Sequence, residues 1–184
     1  GDVAEATRWV ACMTSARVQP DNVTFNTIID CFAKKGNTGQ ASLWLDETRA
    51  SALKPDTISY TAVIDACAKR GASAEAIEWL EKMLEATVEP DEISYTSVID
   101  SYAKQGNACA AVLWLQKMQG ARLTPNYFSY TAVISSFAKQ GDAKRAHEWL
   151  DSMAAADFQP DVVAWTATLS ACARARPKRP GHAE

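Results

Sequence analysis

Long apolar runs are missing from this sequence. Although 47% of its 184 residues are hydrophobic, no uninterrupted stretch of about 18 of them occurs, which argues against a helical membrane span and a membrane partner. Cysteine is sparse: Cys12, Cys31, Cys67, Cys109 and Cys172 are five in number and widely spread. An odd count without a C-x-x-C pair argues against a disulfide framework or a zinc site. Small thiols in a reducing compartment are expected instead. Histidine is scarcer, with only His147 and His182. The stretch "HEWLD" from His147 lacks the second histidine of a zinc-protease helix, and no glycine-rich phosphate loop or acidic metal cluster is present. No catalytic residue, no metal site and no cofactor is therefore expected. A net excess of positive charge is also missing, since the formal charge is −3. Any surface for an anionic partner must come from where the lysines sit, not from their number. No basic and apolar leader is visible at Gly1, where the sequence reads like the middle of a repeat.

What the chain does have is recurrence. Trp9, Trp44, Trp79, Trp114 and Trp149 are each 35 residues apart, as are Pro20, Pro55, Pro90, Pro125 and Pro160. Gly1, Gly36, Gly71, Gly106 and Gly141 keep the same spacing. Three residue types sharing one period of this length signal a solenoid built from one small unit. With each unit ending at the residue after the periodic proline, the complete units are 22–56, 57–91, 92–126 and 127–161. Residues 1–21 make the second half of an earlier unit, residues 162–176 the first helix of a later one, and residues 177–184 a basic flexible tail.

Within a unit the apolar spacing is helical. Tyr60, Val63, Ile64 and Cys67 fall at i, i+3, i+4 and i+7, which predicts an amphipathic first helix. Gly71 supplies the left-handed residue that ends it. Asp2, Asn37, Ala72, Asn107 and Asp142 follow the periodic glycines, and four of these five suit the N-cap of a second helix. That helix buries Ala76, Leu80 and Met83, and Pro90 marks its end. No strand pattern competes. Two antiparallel helices cannot bury both apolar stripes alone, so neighbouring units must stack. The tryptophans, each beside a periodic leucine or valine, are expected to pack rather than to offer a stacking platform for bases.

The wording of the units is specific. "VTFNTIIDCFAKKG" (Val23 to Gly36) and "SYTAVIDACAKRG" (Ser59 to Gly71) resemble the first helix of the pentatricopeptide repeat. "EAIEWLEKMLEATVEPD" (Glu75 to Asp91) resembles its second helix. The resemblance runs from residue 1 to about 175, and the constant length of 35 is that of the plain P-type array. The tetratricopeptide repeat is the near rival, but it has 34 residues and a different spacing of aromatic and glycine. The resemblance implies an all-α fold: a right-handed α-solenoid of antiparallel helix pairs, with first helices lining a concave groove. It also implies sequence-specific binding of single-stranded RNA at about one base per repeat, in a mitochondrion or plastid, with RNA-processing or ribosomal proteins as further partners. The deaminase signature carried by some relatives, H-x-E with P-C-x-x-C, is not in this sequence.

In the family, the fifth and last residues of a unit meet the base edge, and second residues of adjacent units sandwich the base. Carried onto this sequence, Asn26 with Asp56 implies uracil and Thr61 with Asp91 guanine. Thr96 with Asn126 implies adenine, and Thr131 with Asp161 guanine. Thr166 implies a purine without a partner to specify it. The implied core target is 5′-UGAG-3′. The sandwich positions are Val23, Ile58, Ile93, Phe128 and Val163. The residue chemistry agrees: a small hydroxyl or amide reaches a base edge without burying charge, and exchanging Asp for Asn adds a donor. Simpler roles stand beside these. Asp56, Asp91, Asn126 and Asp161 suit helix caps, the threonines are ordinary first-turn residues, and the apolar second residues have a neighbouring unit to pack on; Asp21 ends the first half unit, whose fifth residue is missing.

Lys34, Lys69, Lys104, Lys139 and Arg174 also keep the spacing of 35, near the end of each first helix. They are expected to form a basic stripe that meets phosphates, or to sit as solvated cations at helix C-termini. Glu75, Glu78, Glu81, Glu85, Glu148 and Asp151 put acid on second helices instead. Five phosphate contacts would give a salt slope of roughly −3.5 for a single strand. A scaffold for protein partners, as tetratricopeptide arrays are, is the competing reading. It gives no reason for keeping Asn or Thr at one site and Asp or Asn at the other.

Overall fold

The computed structural model describes residues 3–175. Gly1, Asp2, His182 and the expected tail at 177–184 lie outside the described residues. Within them are ten α-helices and no strand. These are α1 (Val3–Ser15), α2 (Asn22–Lys34), α3 (Thr38–Ala50), α4 (Thr57–Lys69), α5 (Ser73–Glu85), α6 (Glu92–Gln105), α7 (Ala108–Gly120), α8 (Tyr127–Gln140), α9 (Ala143–Ala155) and α10 (Val162–Arg174). None is long and apolar enough to cross a membrane. The chain divides into two compact units, Gly1–Ser101 and Tyr102–Glu184, with α6 crossing the division.

Most helices begin where a side chain can satisfy an orphan N–H group. Asp21, Asp56, Asn126 and Asp161 cap α2, α4, α8 and α10, and the Asp91 carboxylate accepts from the Ser94 N–H at 2.8 Å in α6. Asn37, Asn107 and Asp142 cap α3, α7 and α9, while Ala72 leaves α5 without a side-chain cap. The periodic glycines do what their spacing predicts. Gly36, Gly71, Gly106 and Gly141 have φ between 69° and 73°, a left-handed turn that costs glycine nothing.

The first helices bury the stripe read from the sequence, and Tyr60, Val63, Ile64 and Cys67 are all inaccessible to solvent. The second helices bury Ala76, Leu80 and Met83, with Ala111, Leu115 and Met118 and then Ala146, Leu150 and Met153 at the same places. In the unit Gly1–Ser101, α2 packs both on its partner α3 and on the next first helix, α4. In the unit Tyr102–Glu184, α8 packs likewise on α9 and α10. First helices therefore lie side by side, and residues at one place in the repeat become neighbours. Burial and a Glu75 carboxylate nearby push the Cys67 thiol up to about 11, so it stays a neutral core thiol.

Two expectations need correction. The second helices do not run to the prolines. Helix α5 ends at Glu85, and Thr87 reverses the chain at φ 58° while its N–H donates to the Leu84 carbonyl and that of Val88 to the Met83 carbonyl. Arg17, Ala52, Arg122 and Asp157 do the same at the ends of the other second helices. Backbone hydrogen bonds stop these helices before proline can. The tryptophans also do not all pack. Trp44 and Trp149 lie against the aromatic residue on the paired first helix, Phe25 and Tyr130, at 6.1 and 6.2 Å between ring centroids. Trp114 is buried, but Trp9 is 64% exposed on α1.

Thr87 is exposed, β-branched and left-handed, a combination that stores backbone strain of about 1 kcal/mol or more. Thr87→Gly should therefore raise stability by roughly 0.5–1 kcal/mol after the entropy of glycine is counted. A urea midpoint that fell in this variant would show that the turn is not strained.

Candidate nucleic-acid interface

The cap at the start of each first helix also fixes what lies beside the preceding one. The Asp56 carboxylate accepts the Ser59 N–H at 3.0 Å as the N-cap of α4. From that place it also meets the amide of Asn26 on α2, with Asn26 Nδ2 donating to Oδ1 at 3.1 Å and to Oδ2 at 3.2 Å. At the next joint, the Asp91 carboxylate caps α6, and Thr61 Oγ1 approaches its Oδ1 at 3.4 Å. Two of the sequence-predicted pairs, Asn26 with Asp56 and Thr61 with Asp91, are thus direct neighbours. Cap and pair are one arrangement, because an N-cap needs only one of the carboxylate's lone pairs.

The pair of Thr131 with Asp161 differs. Thr131 on α8 turns its hydroxyl back to the Tyr127 carbonyl at 2.9 Å instead of toward Asp161. Beside Asp161 stands the Tyr127 phenol, whose buried oxygen has no well-formed hydrogen bond. The phenol holds the Asp161 carboxyl below its ordinary range, with the backbone N–H of Ala164 acting in the same direction. The carboxylate in turn pushes the phenol up. Thr96 is half-buried on α6, and Asn126 accepts the Ser129 N–H at 3.0 Å as the cap of α8. Thr166 is exposed on α10. Asp21 caps α2 and is held below the ordinary carboxylate range, chiefly by the Thr24 N–H.

The five apolar second residues are open to solvent. Val23, Ile58, Ile93, Phe128 and Val163 are 57–70% exposed, so packing on a neighbouring unit does not explain them. Each lies in the first turn of its helix, close in sequence to the paired polar residues, and Phe128 meets Tyr127 edge-on at 5.4 Å. Exposed apolar residues repeated at one place in every unit are a surface in search of a flat apolar partner.

The cations are less free than their spacing suggests. Lys34 bonds Asp30 and Lys69 bonds Asp65, both at 2.6 Å and one helical turn back. The Asp30 carboxylate also raises the Lys34 pKa. Lys139 Nζ donates to the Ala103 and Lys104 carbonyls at 2.9 and 2.8 Å, closing the C-terminal end of α6. Lys104 and Arg174 are exposed at the ends of α6 and α10. The acidic residues Glu75, Glu78, Glu81, Glu85, Glu148 and Asp151 are all exposed on second helices, and His147 pairs loosely with Asp151 at 3.7 Å. Among the described residues no group of three or more His, Cys, Asp or Glu is placed to hold a metal ion.

Sequence reasoning missed two residues at the joints. Ser59 and Ser94, third in α4 and α6, are fully buried and touch both members of the polar pair on the preceding side. The available signal was a capping pattern, Asp followed three residues later by Ser, repeated after 35 residues.

Comparison with known proteins bears on this geometry. The pattern of the PPR repeat family matches residues 20–69, 55–104, 90–139 and 125–174. The crystal structure of the pentatricopeptide repeat protein PPR10 from maize is similar at 27% identity and a TM-score of 0.75, covering 89% of this chain. This chain spans only 23% of that one. The same protein in complex with an 18-nt psaJ RNA element aligns at 22% identity and a TM-score of 0.73, over 94% of this chain and 27% of that one. The PPR domain of Arabidopsis thaliana protein-only RNase P 1, solved in complex with tRNA, aligns at 20% and 0.66, over 78% of this chain and 76% of that one. No curated protein matches.

The Tyr127 phenol gives a titration test. Asp161 has a depressed folded pKa, so its contribution to stability is present above the unfolded pKa and is lost as pH falls through the folded one. Tyr127→Phe should raise the Asp161 pKa toward the usual carboxylate value. Following the Asp161 carboxyl carbon by NMR from neutral to acid pH checks this, and identical curves in both proteins would remove the phenol as the cause.

Proposed function

Because the chain belongs to the pentatricopeptide repeat family, we propose that it binds single-stranded RNA, reading about one base per repeat along its first helices. One observation carries the reading: at successive joints a polar pair, Asn26 with Asp56 and Thr61 with Asp91, stands beside an exposed apolar second residue. The polar pair supplies donors and acceptors for a base edge, and the apolar residues supply surfaces for its faces. The assigned core is 5′-UGAG-3′, with Thr96 and Asn126 reading adenine and Thr131 and Asp161 guanine. Stacking of this kind contributes roughly 1–3 kcal/mol per base, enough for measurable binding by four units.

The mechanism is occupancy. Bound RNA is withheld from nucleases and from pairing, and no bond is made or broken by this chain. The family places such arrays in a mitochondrion or plastid, in RNA processing, stability or translation. Lys34 and Lys69 each already hold an aspartate, and Lys139 two carbonyls, which weakens what each offers a phosphate. The salt slope should therefore be no steeper than the roughly −3.5 of five free contacts.

Fluorescence anisotropy with labelled RNAs tests this. A UGAG oligomer should bind more tightly than UAGA, poly-U or the same sequence as DNA. Thr96→Asn should shift the third base from adenine toward a pyrimidine by about tenfold, within the worth of one base contact. Equal binding to all four, or none, would favour a scaffold for protein partners.

A further inference from the structure

Two buried hydroxyls decide what the polar pairs can offer. The Asp56 carboxylate only accepts hydrogen bonds, so the Asn26 amide must turn its NH2 group toward it, as the 3.1 and 3.2 Å contacts show. That leaves Asn26 Oδ1 facing Ser59, whose hydroxyl donates to it at 2.5 Å. One N–H and one lone pair of Asn26 remain unused. Uracil presents an N–H flanked by carbonyl oxygens, which matches that remainder in one orientation of the amide. A flipped amide would suit cytosine equally well.

The second joint works by the same logic. Ser94 Oγ lies 2.7 Å from both Thr61 Oγ1 and Asp91 Oδ1. If Ser94 donates to Asp91, Thr61 donates to Ser94. If Ser94 donates to Thr61, Thr61 donates to Asp91. In either case the single Thr61 proton points into the protein, and only its lone pairs face outward. Acceptors alone suit the N–H-rich pairing edge of guanine and not the N1 acceptor of adenine. A hydroxyl free to rotate would serve both.

We propose that Ser59 and Ser94 are positioning residues for base specificity: their buried hydroxyls fix the donor and acceptor polarity that Asn26 and Thr61 present to a base. The inference rests on the RNA-binding reading, and it assigns part of the code to a residue that belongs to the next unit and touches no base.

The test pairs a measurement on the free protein with one on the complex. Side-chain amide 15N relaxation reports whether Asn26 is held, without RNA. Anisotropy then compares U with C at the first base and G with A at the second. Ser59→Ala should loosen the Asn26 amide and reduce the U-over-C preference by about 2- to 10-fold, the worth of one neutral hydrogen bond, leaving the second base alone. Ser94→Ala should reduce the G-over-A preference similarly and spare the first base. Thr24→Ala is the control, because Thr24 caps with Asp21 and meets no fifth residue of a preceding unit among the described residues. It should cost stability and change neither preference. Unchanged Asn26 order and unchanged U/C ratio in Ser59→Ala overturn the proposal, as does equal loss of both preferences in either serine variant. Should the wild type bind without base preference while Ser59→Ala still loosens the amide, the RNA code itself fails, and with it the specificity role of the serines.

Discussion

An α-helix leaves its first four backbone N–H groups without intrahelical acceptors. In this array the residue that satisfies them stands between two helices of a row. Asp56 and Asp91 each accept the N–H three residues ahead and still have lone pairs for the helix behind. A local requirement, capping, thereby places a polar side chain against the fifth residue of the preceding unit. The exposed second residues follow from the same joint. They sit just after the cap, in the first turn, where more than half of each remains open to solvent.

Stacking explains why this joint is reproducible. No helix here buries its stripe alone. The first helices hold Ile and Val against their neighbours, and the second helices hold Ala, Leu and Met. Close packing of such interiors leaves little freedom for a helix to slide, so the distance between a cap and the residue it faces is set by the core. The paired polar groups meet because hydrophobic burial elsewhere holds their helices in register.

The repeat is not uniform at the joints, and the differences are chemical. Asn26 and Thr61 engage their carboxylates, whereas Thr131 bonds its own helix, and a tyrosine stands beside Asp161. The cations vary too. Two are tied to aspartates one turn back, and one closes the end of a neighbouring helix. A periodic lysine in the sequence is thus several different things in the fold, and charge counted from the period overstates what is free to meet phosphate.

The period of 35, the stripe of Tyr60, Val63, Ile64 and Cys67, and the glycine turns were determined by the sequence alone. They depend on helix periodicity and on φ preferences, which are local. So were the caps, since Asp and Asn compete for backbone N–H groups wherever a helix starts. Tertiary structure decided the rest. It alone showed that Val23, Ile58, Ile93, Phe128 and Val163 are left open, that Trp9 is exposed while Trp114 is buried, and that the second helices stop at a strained turn before proline. It also brought Ser59 to Asn26 and Ser94 to Thr61, residues 33 apart in the chain. Such contacts depend on how one helix pair seats on the next, and a pattern read along one helix carries no record of that distance.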